Sequence, residues 1–311
     1  MSDRQRESET ILCATDFSST AVRALGQAMQ LAERRGARVV LVHVMEPLPV
    51  GPDPLLPSAP IAEEEIRQHA EARLQAEAER VDQGDVRLDV RIEMGVPGNT
   101  HVRLAADLGA DLIVIGTRGL SGLQHLLLGS TAEFVVRRAS CPVLTIHPDD
   151  RSEIGSARRV VVPTDLSEDA AAAIETFVER FGPEDLPEIL LAFADSTPPY
   201  FDYMTHERLA RYRQEDTRRK EIEERMRPLE EDLRGRGFEV EKWVLDGSPV
   251  EAITGLAERE GADLIVMSTH GHSALLNAFL GRTAQRVVQR APCPVLTVCP
   301  QSRHVVEGAD R

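Results

Sequence analysis

The chain has 311 residues, a formal net charge of −15 at neutral pH and 42% hydrophobic residues. This length allows two domains of ordinary size, and so acidic a surface argues against non-specific binding of nucleic acid. No apolar run approaches the roughly 18 residues of a membrane span, and the first ten residues lack the apolar core of a secretory signal. We therefore expect a cytoplasmic protein that does not bind a membrane.

Short runs of Val, Ile and Leu alternate with helical patterns through the first half of the chain. Apolar runs and alternation predict strands, and apolar residues at helical spacing predict helices. The Pro-rich stretch 47–60 is predicted not to be helical, because each Pro removes a backbone donor. The predicted elements are strands 10–15, 38–45, 86–94, 111–117 and 141–146 and helices 20–36, 61–81, 98–110 and 131–139.

The second half of the chain repeats these motifs in the same order. "ATDFS" returns as "PTDLS", "GADLIVIGTRG" as "GADLIVMSTHG", and "CPVLTI" as "CPVLTV". The repeat is too long for a solenoid, so it indicates a tandem duplication, with a domain at 1–149, a domain at 157–303 and a polar linker at 148–158. A long charged helical pattern in the second copy is predicted to be interrupted near Pro228.

Each copy is predicted to be an α/β domain with a doubly wound, parallel, five-stranded sheet in the order 3-2-1-4-5. Continuous apolar runs in strands one, two and four indicate burial on both faces, whereas strand three alternates and should be half exposed. In such a sheet a ligand binds outside the carboxyl ends of strands one and four. The loops that follow these two strands are therefore the candidate ligand-binding segments.

The loop after strand four is rich in glycine and leads to a helix. Glycines permit positive φ and close approach of the backbone to a ligand. Ser130 and Glu133 match a capping box, and a helix N-terminus can bind an anion. These features fit a phosphate site and fit an ordinary capped turn equally well, so physical reasoning leaves both open.

Several motifs in this chain resemble those of the universal stress protein family. They are "ATDFS", "VLVHV", "GVP", "ADLIVIGTRG" and "SCPVLTI", together with Gly116-x2-Gly119-x9-Gly129-Ser130. The resemblance covers most of both copies. It implies a Rossmann-like tandem protein that binds ATP, with Mg²⁺ among the phosphates, and acts as a stress-response regulator.

The resemblance also implies roles for individual residues of the first copy. Asp16 would bond the ribose or the adenine, with Thr15 beside it, and could instead serve only as an acid at a helix N-terminus. Val44 would pack on the base. The residues expected around the phosphates are Gly116, Gly119, Gly129, Ser130 and Thr131, while Arg118 could face a phosphate or simply be solvated.

The second copy departs from this pattern. Ser268, Arg282 and Ala194 stand where the first copy has Gly116, Ser130 and Val44, and a Ser cannot adopt the φ values of a Gly as freely. We therefore predict that the first copy is the principal site, with Arg282 as a phosphate ligand as the alternative. The matching residues of the second copy are Thr164, Asp165, Gly271, Gly281, Arg282 and Thr283. His270 and His272 lack a third ligand at metal spacing, so no side-chain metal site is predicted.

The sequence favours a binding protein over an enzyme. It has no GxxxxGK[ST] loop and no residue placed to activate water, so slow ATP hydrolysis is the most we expect. A protein-interaction scaffold without nucleotide is the alternative. An adenine nucleotide and an unidentified protein are the expected partners. The last strands, Val143–Ile146 and Val295–Val298, are expected to pair in a pseudo-dimer within one chain, and two chains could form a homodimer.

Overall fold

The computed structural model describes residues 9–47, 59–81, 84–119, 128–150, 152–196, 208–269 and 280–299. They divide into two compact units: unit one contains the described residues up to Gly155, and unit two begins at Ser156. No helix in these ranges is long and apolar enough to cross a bilayer.

Unit one is an α/β domain with the predicted strand order. Its five strands are parallel and lie in the order β3-β2-β1-β4-β5. The strands are β1 (Thr10–Thr15), β2 (Arg38–Met45), β3 (Leu88–Met94), β4 (Leu112–Gly116) and β5 (Val143–Ile146). The helices are α1 (Ser19–Arg35), α2 (Ala59–Arg80), α3 (Pro97–Asp107) and α4 (Ser130–Arg138).

Unit two repeats this architecture, with parallel strands in the order β8-β7-β6-β9-β10. A 3-10 turn at Ile154–Ser156 precedes it. The strands are β6 (Arg159–Pro163), β7 (Glu188–Asp195), β8 (Glu239–Asp246), β9 (Leu264–Ser268) and β10 (Val295–Val298). The helices are α5 (Glu168–Arg180), α6 (Arg208–Gly235), α7 (Pro249–Arg259) and α8 (Arg282–Arg290).

The apolar runs form the centre of each sheet. Every residue of β1 is buried, as are the middle residues of β2 and β4, which fits strands covered by helices on both faces. The amphipathic helix α1 ends at Gly36, whose φ of 61° closes the helix in the left-handed conformation. The sequence therefore specified this helix and its end correctly.

Two local expectations were wrong. Pro60 lies in the first turn of α2, where a missing backbone donor costs nothing, so the end of the Pro-rich stretch is helical. Pro228 lies inside α6 without ending it, and the buried side chains Met226 and Leu233 anchor the helix on both sides of the proline. β3 is half exposed, as predicted, and none of its residues is fully buried because β3 lies at the end of the strand order of unit one.

The segment predicted as a polar linker is packed on α1. Asp150 and Ile154 are buried. The Gln27 amide donates to the Ser152 carbonyl at 3.2 Å and accepts from the Ile154 backbone N–H at 2.7 Å. The start of the linker is thus held to unit one by side-chain hydrogen bonds.

Candidate functional site

The turn after β1 is built by side chains that bind its own backbone. Thr15 Oγ1 accepts a hydrogen bond from the Phe17 N–H at 3.0 Å, and Asp16 Oδ1 accepts one from the Ser18 N–H at 3.0 Å. The Ser18 hydroxyl then caps α1 by accepting from the Ala21 N–H at 3.2 Å. This turn fixes Asp16 at the carboxyl end of a central strand.

Phe17 occupies a strained conformation that recurs in unit two. Its φ is 65°, and Leu166 at the matching position has a φ of 61°. Left-handed backbone is unfavourable for large side chains and costs about 1–2 kcal/mol per residue. Thr164 and Asp165 make the same turn hydrogen bonds as their counterparts in unit one, both at 3.0 Å. Strain kept at the same place in both copies is typical of a functional loop.

The loop after β4 meets the loop after β1. A Cβ placed on Gly119 would lie 2.4 Å from Asp16 Oδ2, so only a glycine allows this backbone to approach the carboxylate. The Ser18 hydroxyl lies 3.5 Å from the Arg118 carbonyl oxygen. The two loops that the sequence singled out are therefore in contact at the carboxyl ends of β1 and β4 in unit one, where a sheet of this order has its crevice.

Gly116, Gly119 and Gly129 matter because they lack a Cβ, and not because their backbone is left-handed. Among the described glycines, those with positive φ lie elsewhere, for example at Gly95 and Gly109, and do not include Gly116, Gly119 or Gly129. A Cβ on Gly116 would lie 2.9 Å from Thr20 Cγ2. The expectation that a Ser in place of Gly116 matters through its φ range is therefore wrong, and its Cβ is the relevant difference.

The predicted capping box at the start of α4 is absent. Gly129 is the N-cap, with φ of −59° and no side chain to cap the helix, and Ser130 is the first helical residue. Gly129 N–H donates to the Thr117 carbonyl at 2.9 Å, and its own carbonyl accepts from the Glu133 N–H at 2.9 Å. Because the ladder begins at Gly129, Ser130 is one residue too late to be the cap, and the first amides of α4 receive no side-chain cap.

Other residues implied by the resemblance lie close to this crevice. Val44 is buried near the end of β2, and Thr131 is the second residue of α4. Arg118 follows β4 by two residues, and its guanidinium lies 4.0 Å from the exposed Asp149 carboxylate. The carboxyl ends of β1, β2 and β4 and the start of α4 thus carry the whole predicted set of unit one.

Unit two repeats the helix start with different charges. Gly281 is the N-cap of α8, and its N–H donates to the Thr269 carbonyl at 2.8 Å. Arg282 is the first residue of α8 and Thr283 the second, and the first turn carries no acid, whereas the first turn of α4 contains Glu133. Three positions named from the sequence, Gly271, His270 and His272, lie outside the described residues.

Sequence reasoning missed an important acid, Glu77 of α2. The residue is only 6% exposed, and the Thr15 hydroxyl lies 3.2 and 3.1 Å from its two carboxylate oxygens. Burial raises the pKa of Glu77, and the nearby charge of Asp16 raises it further, while the Thr15 hydrogen bond and Arg73 act in the opposite direction. The helix contains many glutamates, so nothing in the sequence distinguishes this one.

An aromatic and basic cluster lies beside the strained turn. The Phe17 ring lies 4.3 Å from the His43 ring, and the Arg73 guanidinium lies 4.2 Å from the Phe17 centroid. His43 Nδ1 lies 2.9 Å from the Thr15 carbonyl, which can only accept, so this nitrogen carries the proton. Burial lowers the pKa of His101 to about 4, with a smaller contribution from His43.

Two cavities are lined by described residues, one in each unit. One of about 640 Å³ lies between α2 and β3, outside the crevice of unit one. Another of about 290 Å³ opens at the end of β7 in unit two, beside Ala194, and Arg218 holds Asp195 there at 2.7 Å. The lining residues of the second cavity are Phe193, Ala194, Asp195, Ser196, Arg218, Glu221, Ile222 and Arg225. Within the described ranges, no three His, Cys, Asp or Glu side chains group as metal ligands.

Comparison with known proteins extends the similarity to the whole chain. The family model described as the universal stress protein family matches twice, at residues 7–147 and 156–298. A universal stress protein of Mycolicibacterium smegmatis is 27% identical over 296 residues, which cover 94% of this chain and 97% of the relative. One from Thermus aquaticus is 39% identical over 140 residues, 45% of this chain and 98% of the relative.

Solved structures support the same fold. A universal stress protein from Archaeoglobus fulgidus is 23% identical, with a TM-score of 0.67, and the match covers 93% of this chain and 95% of that one. A universal stress protein solved in complex with cAMP is 28% identical, with a TM-score of 0.36, and the match covers 45% of this chain and 97% of that one. With both halves matched by the family model, this chain belongs to the universal stress protein family as a tandem of two of its domains.

Proposed function

We propose that this protein is an ATP-binding stress-response regulator and that unit one holds the nucleotide at the carboxyl ends of β1 and β4. In this proposal Asp16 accepts hydrogen bonds from the ribose or adenine, and Val44 lies under the base. The phosphates lie against the backbone at Gly116, Gly119 and Gly129 and the first turn of α4. Arg118, Ser130 and Thr131 complete the phosphate side, with Mg²⁺ on the phosphates.

One observation carries the proposal. The Gly119 backbone lies against the Asp16 carboxylate so closely that no Cβ fits between them, which brings a hydrogen-bond acceptor and a glycine loop to one crevice. The loop leads to α4, whose N-terminus has no side-chain cap because Gly129 occupies that position. Uncapped amides and the positive end of a helix dipole favour an anion such as a phosphate group.

The test compares the same charge placed at the two helix starts. Asp is a good N-cap, so Gly129→Asp and Gly281→Asp should leave α4 and α8 folded while putting a carboxylate where a phosphate would bind. Gly129→Asn caps equally well without the charge and is the matched control. Calorimetric titration with ATP in the presence of Mg²⁺ should show at least about tenfold weaker binding for Gly129→Asp, since charge-assisted hydrogen bonds contribute about 1.5–3 kcal/mol each.

Each other outcome of this titration identifies a different function. If Gly281→Asp alone abolishes tight binding, the sites are reversed, and Thr164, Asp165, Arg282 and Thr283 with Gly271 bind the nucleotide. If wild-type protein binds no ATP and gains no thermal stability from it, the protein-interaction scaffold replaces the proposal. Release of ADP by the wild type, absent in Gly129→Asp, would instead indicate slow hydrolysis.

The assembly proposal rests on the sequence alone. Pairing of Val143–Ile146 with Val295–Val298 in a pseudo-dimer remains a prediction, as do a homodimer and the domain limits 1–149 and 157–303. A cytoplasmic location and an unidentified protein partner also belong to this proposal.

A further inference from the structure

The residue that contacts the Thr15 hydroxyl in unit one is an acid, Glu77, whereas the aligned residue of unit two is a leucine, Leu229. Glu77 and Leu229 occupy matching positions, because each lies the same number of residues before a matching glycine, Gly95 in unit one and Gly247 in unit two. Each of these glycines donates its N–H to the carbonyl of the last residue of the second strand of its unit, at 2.9 Å in unit one and 3.0 Å in unit two. The buried positions of α2 and α6 keep the same register. By the same alignment, His43 corresponds to Phe193.

Unit two shows that the turn does not need a buried acid. Thr164 accepts from the Leu166 N–H at 3.0 Å, the same distance as between Thr15 and Phe17, although Leu229 stands where Glu77 does. Burying a carboxylate is unfavourable unless it is well paired, and Glu77 receives the hydroxyl of Thr15. An acid that folding of the turn does not require is better explained by the ligand that the crevice receives.

We propose that Glu77 is a positioning residue of the unit-one site that acts through Thr15 on Asp16, and that its charge makes nucleotide affinity depend on pH. This inference rests on the proposed function. The carboxylate holds the Thr15 hydroxyl, which in turn accepts from the turn that carries Asp16. It also adds a second negative charge beside Asp16, at a crevice meant for an anionic ligand.

Protonation of Glu77 separates these two roles. A neutral carboxyl keeps an oxygen that accepts from Thr15, so the turn remains in place, while the charge that opposes an anionic ligand disappears. Other charged or titratable groups face Glu77: Asp16 and Cys13 from the β1 side and Arg73 and Arg80 from α2 itself, with His43 on β2 bonded to the same threonine. ATP affinity should therefore rise as the pH falls and Glu77 takes up its proton.

The experiment titrates ATP into wild type, Glu77→Gln and Glu77→Leu at several pH values between 5 and 8. Glu77→Gln keeps an acceptor for Thr15 without the charge, so it should bind ATP about three- to tenfold more tightly than wild type at pH 8, and the difference should narrow as the pH falls. Glu77→Leu restores the residue of unit two and removes the acceptor, so its affinity should fall at every pH. The comparison uses the ratio of the ATP affinities of variant and wild type at the same pH, because protonation of ATP itself affects both proteins equally.

A second buried acid provides the control. Glu230 of α6 is buried and pairs with Lys242 at 2.6 Å, so Glu230→Gln removes a buried acidic charge from unit two. This variant should bind ATP with the same affinity as wild type at every pH. If Glu77→Gln follows the wild-type pH profile while ATP still binds, the inference is overturned and the proposed function stands. Equal weakening by Gln and Leu also overturns it, because it indicates a purely structural role. A wild type that binds no ATP refutes both.

Discussion

Replacing Gly119 with Ala should disturb the crevice by displacing Asp16. The new Cβ would lie 2.4 Å from Asp16 Oδ2, far inside van der Waals contact, and the Asp16 side chain is too short to move away while its Oδ1 keeps the Ser18 N–H. Loss of that hydrogen bond costs about 0.5–1.5 kcal/mol, which lowers the melting temperature of a domain of this size by a few degrees. If Asp16 contacts the ligand, ATP affinity should fall about 10- to 100-fold.

A double-mutant cycle isolates this contact. Asp16→Ala removes the atom that the new Cβ meets, so adding Gly119→Ala to Asp16→Ala should cost almost nothing, with a coupling of about 1 kcal/mol between the two sites. Gly26 is the matched control, because a Cβ there meets nothing within 4 Å and its position inside α1 favours Ala by about 1 kcal/mol. Thermal unfolding and ATP calorimetry measure both effects. Additive losses for Asp16 and Gly119 would refute the close approach of the two loops.

Three further predictions concern buried titratable groups and α6. Burial raises the pKa of Glu77, so its contribution to stability is complete at pH values below its pKa in the unfolded chain and is lost as the pH rises. At pH 8, Glu77→Gln should therefore unfold at a higher urea concentration than wild type, and this difference should vanish near pH 4. Burial lowers the pKa of His101 to about 4, so the folded state loses stability as the pH falls from 6.5 toward 4. His101→Ile introduces the residue found at the matching position of unit two, Ile253, and should remove about 3 kcal/mol of this loss in unfolding free energy, measured by urea titration at both pH values. Pro228→Ala should raise the melting temperature, because it restores a backbone hydrogen-bond donor inside α6, and the gain in unfolding free energy should be up to about 3 kcal/mol. An unchanged thermal transition would show that the helix hydrogen bonds are already broken at this position.

The fold could be predicted because its signals are local. Continuous apolar strands, helical spacing between them and the duplicated order fix a parallel sheet, and right-handed crossovers then leave few strand orders. The crevice follows from the same reasoning, since the order 3-2-1-4-5 brings the carboxyl ends of β1 and β4 together. The helix start at Gly129 could not be predicted in this way, because Gly129 and Ser130 are both acceptable N-caps and only the Gly129–Glu133 hydrogen bond decides between them.

Glu77 could not be predicted for a different reason. In an Ala- and Glu-rich helix, the residue that faces the sheet depends on how the helix is rotated, and the sequence of α2 has little apolar asymmetry to set that rotation. The decisive contact joins α2 to the end of β1, far apart in the chain. Side chains that matter through such a contact are visible only once the helix has been placed.

The two units differ at two places of the proposed nucleotide site. At the helix start, unit two is the better anion site, because α8 begins with Arg282 and lacks an acid in its first turn, while α4 begins with Ser130 and carries Glu133. Beside the turn after the first strand, unit one is the better site for the polar groups of a ligand, because Glu77 and His43 stand where unit two has Leu229 and Phe193. If ATP binds at unit one, contacts to the nucleoside add to those at the phosphates, whereas at unit two the charge of the phosphates would supply most of the binding. Raising the salt concentration screens contacts between charges, so ATP affinity should fall more steeply with salt if unit two is the occupied unit.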